Sequence, residues 1–180
     1  MKLRNVTIFS GHIFDVPQSI QRIDHRATHG WQLRYGGTKL YSDHSSDGSG
    51  AAESLRLATK ELLKRIAALP APSLLQRAPS ANKSSDLPVG ISGPVVRQRH
   101  GSALRDCSLA VLIPRFGATP QRRSIYIGTE NTYTVARFKA ALARAVEMRA
   151  EAVEAYERET TRDKRAQARE HKKKLKAIAG

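Results

Sequence analysis

The sequence predicts an α+β protein of two small modules, each a three-stranded antiparallel sheet packed on one helix, the second helix long and C-terminal. Three observations predict it. Short runs rich in β-branched and aromatic residues come in threes, separated by Gly or polar turns. Each set of three is followed by an apolar stripe at helical spacing. The order then recurs after about 75 to 85 residues, as a diverged tandem duplication would.

In the first module, residues 1–69, the strand-like runs are Ser19–Arg26, His29–Tyr35 and Thr38–His44. Gly36-Gly37 between the last two is a two-residue hairpin signal. Alternation places Trp31, Leu33 and Tyr35 on one face and Gln32 and Arg34 on the other. The two-residue turn then puts Leu40 on the apolar face, with Lys39 and Tyr41 opposite. A polar loop, DHSSDGSG, leads to a helix over 51–68 with Ala52, Leu55, Ala58, Leu62 and Ile66 in one stripe. One helix covers one side of a sheet. The open side is expected to carry Arg22, Gln32, Arg34, Lys39 and Tyr41.

Residues 70–93 are rich in Pro, Ser, Ala and Gly, the composition of a flexible linker. The second module, 94–157, has strand-like runs at Val95–Gly101, Leu109–Phe116 and Arg122–Thr129, and its helix begins near Thr132. Leu109–Phe116 is apolar on both faces and contains Pro114, which predicts an edge or bulged strand. In the helix, Val135, Phe138, Leu142, Ala145, Met148, Ala152 and Tyr156 keep the stripe. Residues 158–180 form a basic helical tail, its charge concentrated in Arg162–Lys176. Aligning the modules sets Arg22 against Arg97, His25 against His100 and Tyr41 against Tyr126.

The 180 residues hold 31 Lys and Arg against 16 Asp and Glu, a net charge of +15. Such an excess repels itself unless a polyanion compensates, which points to nucleic acid. The start, MKLRNVTIFSGHIF, is too interrupted for a signal peptide, and no run of 18 apolar residues exists. A cytoplasmic location is expected, and a nucleoid-associated one where the polyanion is DNA. Cys107 is the single cysteine, so no internal disulfide or paired-cysteine zinc site is expected. His25, His29 and His44 with Asp43 and Asp47 lack a metal-site pattern, and DHSSDGSG lacks the spacing of a calcium loop. No nucleophile-base set or phosphate-binding glycine loop is present. The expectation is a non-enzymatic protein with no catalytic residue, metal or cofactor.

VVRQRHG (95–101), IYIGTENTYTVARFKAALARA (125–145) and HGWQLRY (29–35) together resemble the Apetala/ethylene-response-factor DNA-binding domain, including its bacterial and phage relatives. The first resembles that family's opening Gly-Val-Arg-x-Arg strand. The second resembles its third strand, Gly-Thr turn and Ala-rich helix, and the third its Trp-containing middle strand. The resemblance implies a sheet lying in the DNA major groove. Arg97 and Arg99 then match first-strand base-reading arginines, Gln32 and Arg34 match the second strand, and Lys39, Tyr41 and Tyr126 match the third. Arg22, Arg26, His100, Arg115 and Arg122 complete the expected DNA-contacting set. The first module departs from the pattern at its opening and has Asp24 where the second has Arg99. It is nonetheless the expected principal reader, because Leu109–Phe116 is so apolar. The implied role is transcriptional regulation or nucleoid organisation. A homodimer through the C-terminal helix or through Leu109–Phe116 is a further expectation. The rivals are an RNA-binding or ribosome-associated protein and a phage-type protein-interaction or inhibitor module.

Overall fold

The computed structural model describes residues 1–98, 100–101 and 103–178, and the protein is α+β. It forms two compact units. The first is Met1–Pro72 with the C-terminal residues from Thr160, and the second is Ser73–Glu159.

The first unit opens with a hairpin, β1 (Leu3–Thr7) and β2 (Ile13–Pro17), that the strand pattern did not lead us to expect. It continues as an antiparallel sheet β3 (Ile20–His25), β4 (Thr28–Arg34), β5 (Thr38–Ser42), in that order, and then α1 (Ala51–Ala68). Ile20, Trp31, Leu33 and Tyr35 point to the helix and bury against Ala58, Leu62 and Ile66, with Ile8 and Val16 of the hairpin region closing the same core. The indole of Trp31 is fully buried, and its N–H donates to the Ala51 carbonyl at 2.8 Å, so the one polar atom of the ring is satisfied. Phe14 meets the same ring edge-on at 5.7 Å.

Glycine at position 50 is required at the start of α1, because a Cβ there would run into the Asp43 carbonyl. The buried positions of α1 are Ala51, Ser54, Ala58, Leu62 and Ile66. Ala52 is exposed and Leu55 half-buried, so the stripe begins one residue before the apolar spacing puts it. The cause is Ser54, whose hydroxyl turns inward to donate to Asp43 at 2.6 Å. The basic segment after residue 157 takes part in this unit as well. Ala168 is buried in its core, the Ala71 N–H donates to Thr161 Oγ1 at 3.0 Å, and Arg165 Nε donates to the Ile66 carbonyl at 3.4 Å.

The second unit is the antiparallel sheet β6 (Ile91–Gln98), β7 (Arg105–Ile113), β8 (Gln121–Thr129) with the first part of α2 (Val135–Ile178). Its core is Ile91, Cys107, Leu109, Val111, Ile125 and Ile127 against Ala141 and Ala145, with Phe138, Leu142 and Met148 at the margin. Thr134 caps α2, its hydroxyl accepting from the Arg137 N–H at 3.2 Å. β6 starts at Ile91, inside the stretch expected as linker, and a bulge between Ser92 and Val95 accommodates Pro94. β7 corrects an expectation. It is the central strand, bonded on both edges, and it ends at Ile113, so Pro114 lies outside the ladder and disrupts nothing. No helix among the described residues is long and apolar enough to cross a membrane.

Candidate nucleic-acid interface

Cross-strand partners share a face of a sheet, so register decides which side chains are presented. In the second unit, Val95–Ser108–Tyr126, Ser92–Ala110–Ser124, Arg97–Asp106 and Leu112–Arg122 are the rows of the face turned away from α2. Tyr126 is 57% exposed and Leu112 41%, so this face is open among the described residues. Arg97 and Arg122 are exposed, and among the described residues neither makes a hydrogen bond or ion pair. Arg123, one residue on, pairs with Val111 on the other face, near Met148 and Glu151. The outward positions of β7 are Asp106, Ser108, Ala110 and Leu112, a mixed set rather than the continuous apolar surface expected of Leu109–Phe116.

The first sheet presents a different outward face from the one expected. The β4–β5 connection is three residues, Tyr35–Gly37, closed by the pair Arg34 and Thr38, with Gly36 (φ 60°) and Gly37 (φ 112°) in the left-handed region. That added residue pairs Trp31 with Tyr41, Leu33 with Lys39 and Gln32 with Leu40. Every β5 side chain therefore changes face. Lys39 and Tyr41 lie on the helix side, where the Lys39 ammonium sits 5.1 Å from the Tyr41 ring and Tyr41 packs against the core. Leu40, expected inside, is 41% exposed on the outer face. Gln32 and Arg34 stand where expected, the Arg34 guanidinium donating to Gln32 Oε1 at 2.6 Å. Gln21 pairs with Gln32 and belongs to this face too, although strand alternation alone did not single it out.

Arg22 is the second correction. It pairs with Trp31 and so faces inward. Its side chain is only 6% exposed, and the guanidinium lies 5.0 Å from the Trp31 ring. It bonds Asp43 at 2.6 and 3.1 Å and Asp24 at 3.0 Å. Asp43, fully buried, also accepts from Ser54, and Asp24 accepts from His29 at 2.9 Å, whose ring stacks on Phe9 at 4.3 Å. This is a structural network in which Arg22 and Asp43 are turned inward and only Asp24 and His29 keep some accessible surface. Burial by itself pushes the Asp24 carboxyl up, but the hydrogen bonds and charges of Arg22 and His29 hold it below the ordinary aspartate value.

A carboxyl held low in the folded state contributes stability above its unfolded value, about 3.9, and that contribution is lost as pH falls through the folded value. Asp24→Asn should therefore lower stability at neutral pH and make the loss below about pH 4 shallower. Urea midpoints followed by fluorescence of Trp31, the only tryptophan, check this. Parallel acid limbs for the two proteins would contradict it.

The remaining expected contacts lie at the rims. Arg26 is exposed in the β3–β4 turn with φ 52°, His100 is exposed in the β6–β7 turn, and Arg115 is exposed just past β7. Arg99 lies outside the described residues. The alignment of the modules fails in its particulars: Arg22 and Tyr41 face inward, whereas Arg97 and Tyr126 face outward. Among the described residues no three His, Cys, Asp or Glu side chains converge to hold a metal ion. The fold and site thus define an α+β protein whose two sheet-and-helix units each leave one sheet face uncovered. Comparison with protein-family models, with curated proteins and with solved structures finds no match to the chain.

Proposed function

We propose that the protein binds duplex DNA by laying the open face of β6–β8 in the major groove, as a sequence-reading regulator or nucleoid component. The observation that carries this reading is that face itself, where two arginines without a side-chain partner among the described residues and an exposed tyrosine stand among small serines and an alanine, with Val95, Leu112 and Asp106 on the same face. Three strands about 4.8 Å apart span roughly 10 Å, which fits a groove about 12 Å wide. Alternate residues along a strand rise about 6.8 Å, close to two base steps of about 3.4 Å. Arg97 and Arg122 can each bond O6 and N7 of a guanine, while the Tyr126 ring can contact a thymine methyl. Ser92, Ser108 and Ser124 keep the face shallow enough for the longer side chains to reach the base edges. The net charge of +15 supplies the general attraction to phosphate.

The first sheet supports a secondary contact through Gln21, Gln32 and Arg34, glutamine being suited to adenine N6 and N7. Arg34→Ala should weaken binding to a selected duplex by about 1–3 kcal/mol and leave mixed-sequence duplex nearly unchanged. Equal losses on both would reduce Arg34 to a phosphate contact.

The test of the function as a whole is selection from a random duplex pool, followed by competition at equal salt. Duplex DNA should compete, while duplex RNA and single strands should compete poorly. An enriched single-stranded RNA would instead favour stacking on Tyr126 and contradict the proposal.

A further inference from the structure

We infer that the C-terminal part of α2 is a second, sequence-independent site for the phosphate backbone of duplex nucleic acid, on the first unit and separate from the β6–β8 face. Residues 160–180 hold eight basic and two acidic residues, against ten and six in residues 1–72. This short segment thus supplies most of the first unit's positive excess. Arg162, Arg165, Arg169, Lys172, Lys173 and Lys176 are all exposed, and their spacing of three and four residues places them along one side of the helix. Asp163 and Glu170 fall on the adjoining flank, where Glu170 pairs with Lys173 at 3.4 Å and Asp163 accepts from Gln167. The ridge rises over about 21 Å of helix, long enough to meet several phosphates at once.

Two observations separate this from an ordinary solvated helix end. The ridge is fixed in place, because Ala168 is buried in the core and Thr161 and Arg165 bond the first unit's backbone. A docked helix offers its cations already ordered, whereas a frayed tail must order them on binding. The clustering is also unfavourable without a partner. Like charges three or four residues apart weaken a helix, and attraction to the helix dipole rewards cations only in the last turn. Glu170 offsets Lys173, and the repulsion that remains among Arg165, Arg169, Lys172 and Lys176 is relieved by a polyanion lying alongside.

The inference rests on the proposed DNA binding only for the identity of the polyanion, and the experiment separates the two. In the full chain, Arg169, Lys172, Lys173 and Lys176 are replaced together by Gln, which spares Ala168 and Arg165. Affinity for a mixed-sequence duplex is measured from about 50 to 200 mM salt. Each phosphate contact contributes about 0.9 to the slope of log K against log salt, so the slope should flatten by about 2 or more, with at least a tenfold loss at the lowest salt. Trp31 fluorescence verifies that the variant is folded, and Arg169→Lys alone should keep the parent slope. An unchanged slope overturns the inference. If Arg97→Ala still weakens a selected duplex in that event, the sheet reading survives without the ridge. A parent chain that binds no duplex overturns both. Loss of binding to phosphatidylserine vesicles with an unchanged duplex slope assigns the ridge to a membrane surface and overturns the inference.

Discussion

Arg22→Ala is expected to destabilise the first unit by about 3–5 kcal/mol, the cost of breaking a buried ion pair from one side. The carboxylate of Asp43 has no exposure at all, and Arg22 provides two of its hydrogen bonds. Ser54 is left as its other side-chain partner, a single neutral donor for a buried charge. The Arg22 guanidinium also lies against Trp31, so its loss opens space beside the largest side chain of the core. Burial alone would push the guanidinium down, but Asp43 and Asp24 hold it above its ordinary value and fully charged. Urea unfolding followed by Trp31 fluorescence gives the size of the effect. Replacing Arg22 and Asp43 together with apolar residues should recover much of the loss, because the uncompensated charge goes with its partner. An Arg22→Ala protein of parental stability and weakened DNA binding would show that the side chain works at the surface after all.

The second large effect belongs to Arg97→Ala combined with Arg122→Ala. Each bidentate arginine–guanine contact is worth about 1–3 kcal/mol of discrimination, so the pair should cost a selected duplex about 2–6 kcal/mol if the two act independently. Stability should stay within about 0.5 kcal/mol, as is usual for surface substitutions, because both side chains are exposed and neither has a side-chain partner among the described residues. The contrast with Arg22 is the informative part. Two kinds of arginine that look alike in the sequence should divide cleanly into one whose loss unfolds and two whose loss unbinds. Competition binding with selected and mixed duplexes measures the loss. A uniform reduction on both duplexes would mean that the pair touches only phosphate.

Much of the architecture was legible because periodicity carries it. Trp31, Leu33 and Tyr35 alternate strictly and are all buried, and the α1 stripe of Ala58, Leu62 and Ile66 follows helical spacing. The faces of individual strands were harder, since they depend on loop length to the residue. Gly36-Gly37 suggests a two-residue turn, but Tyr35 joins it, and the single extra residue moved Lys39, Leu40 and Tyr41 to opposite faces. Arg22 was misplaced for a related reason. Matching it to Arg97 by residue type ignored that its pairing with Trp31 turns it inward. The correction moves the face proposed as principal reader to the second sheet, which keeps Arg97, Arg122 and Tyr126 outward, while the first keeps Gln32 and Arg34.

Two features left weaker signals. The β1–β2 hairpin could have been found in the alternation around Ser10-Gly11, where Val6 and Phe14 face the core. The burial of Ala168 is nearly invisible in a charged run, because a small side chain at a close contact carries little hydropathy. Only Thr161, one heptad before it on the same side of the helix, hints that this stretch has a packed face.

The most direct measurement is a titration of the amide-labelled full chain with its selected duplex, followed by nuclear magnetic resonance. Outward positions of the second sheet, Arg97, Ser108, Arg122, Ser124 and Tyr126, should shift most, while the neighbouring inward Leu109, Val111 and Ile125 shift little. Largest shifts on the outer surface of α2, with β6–β8 silent, would contradict the major-groove reading by that sheet.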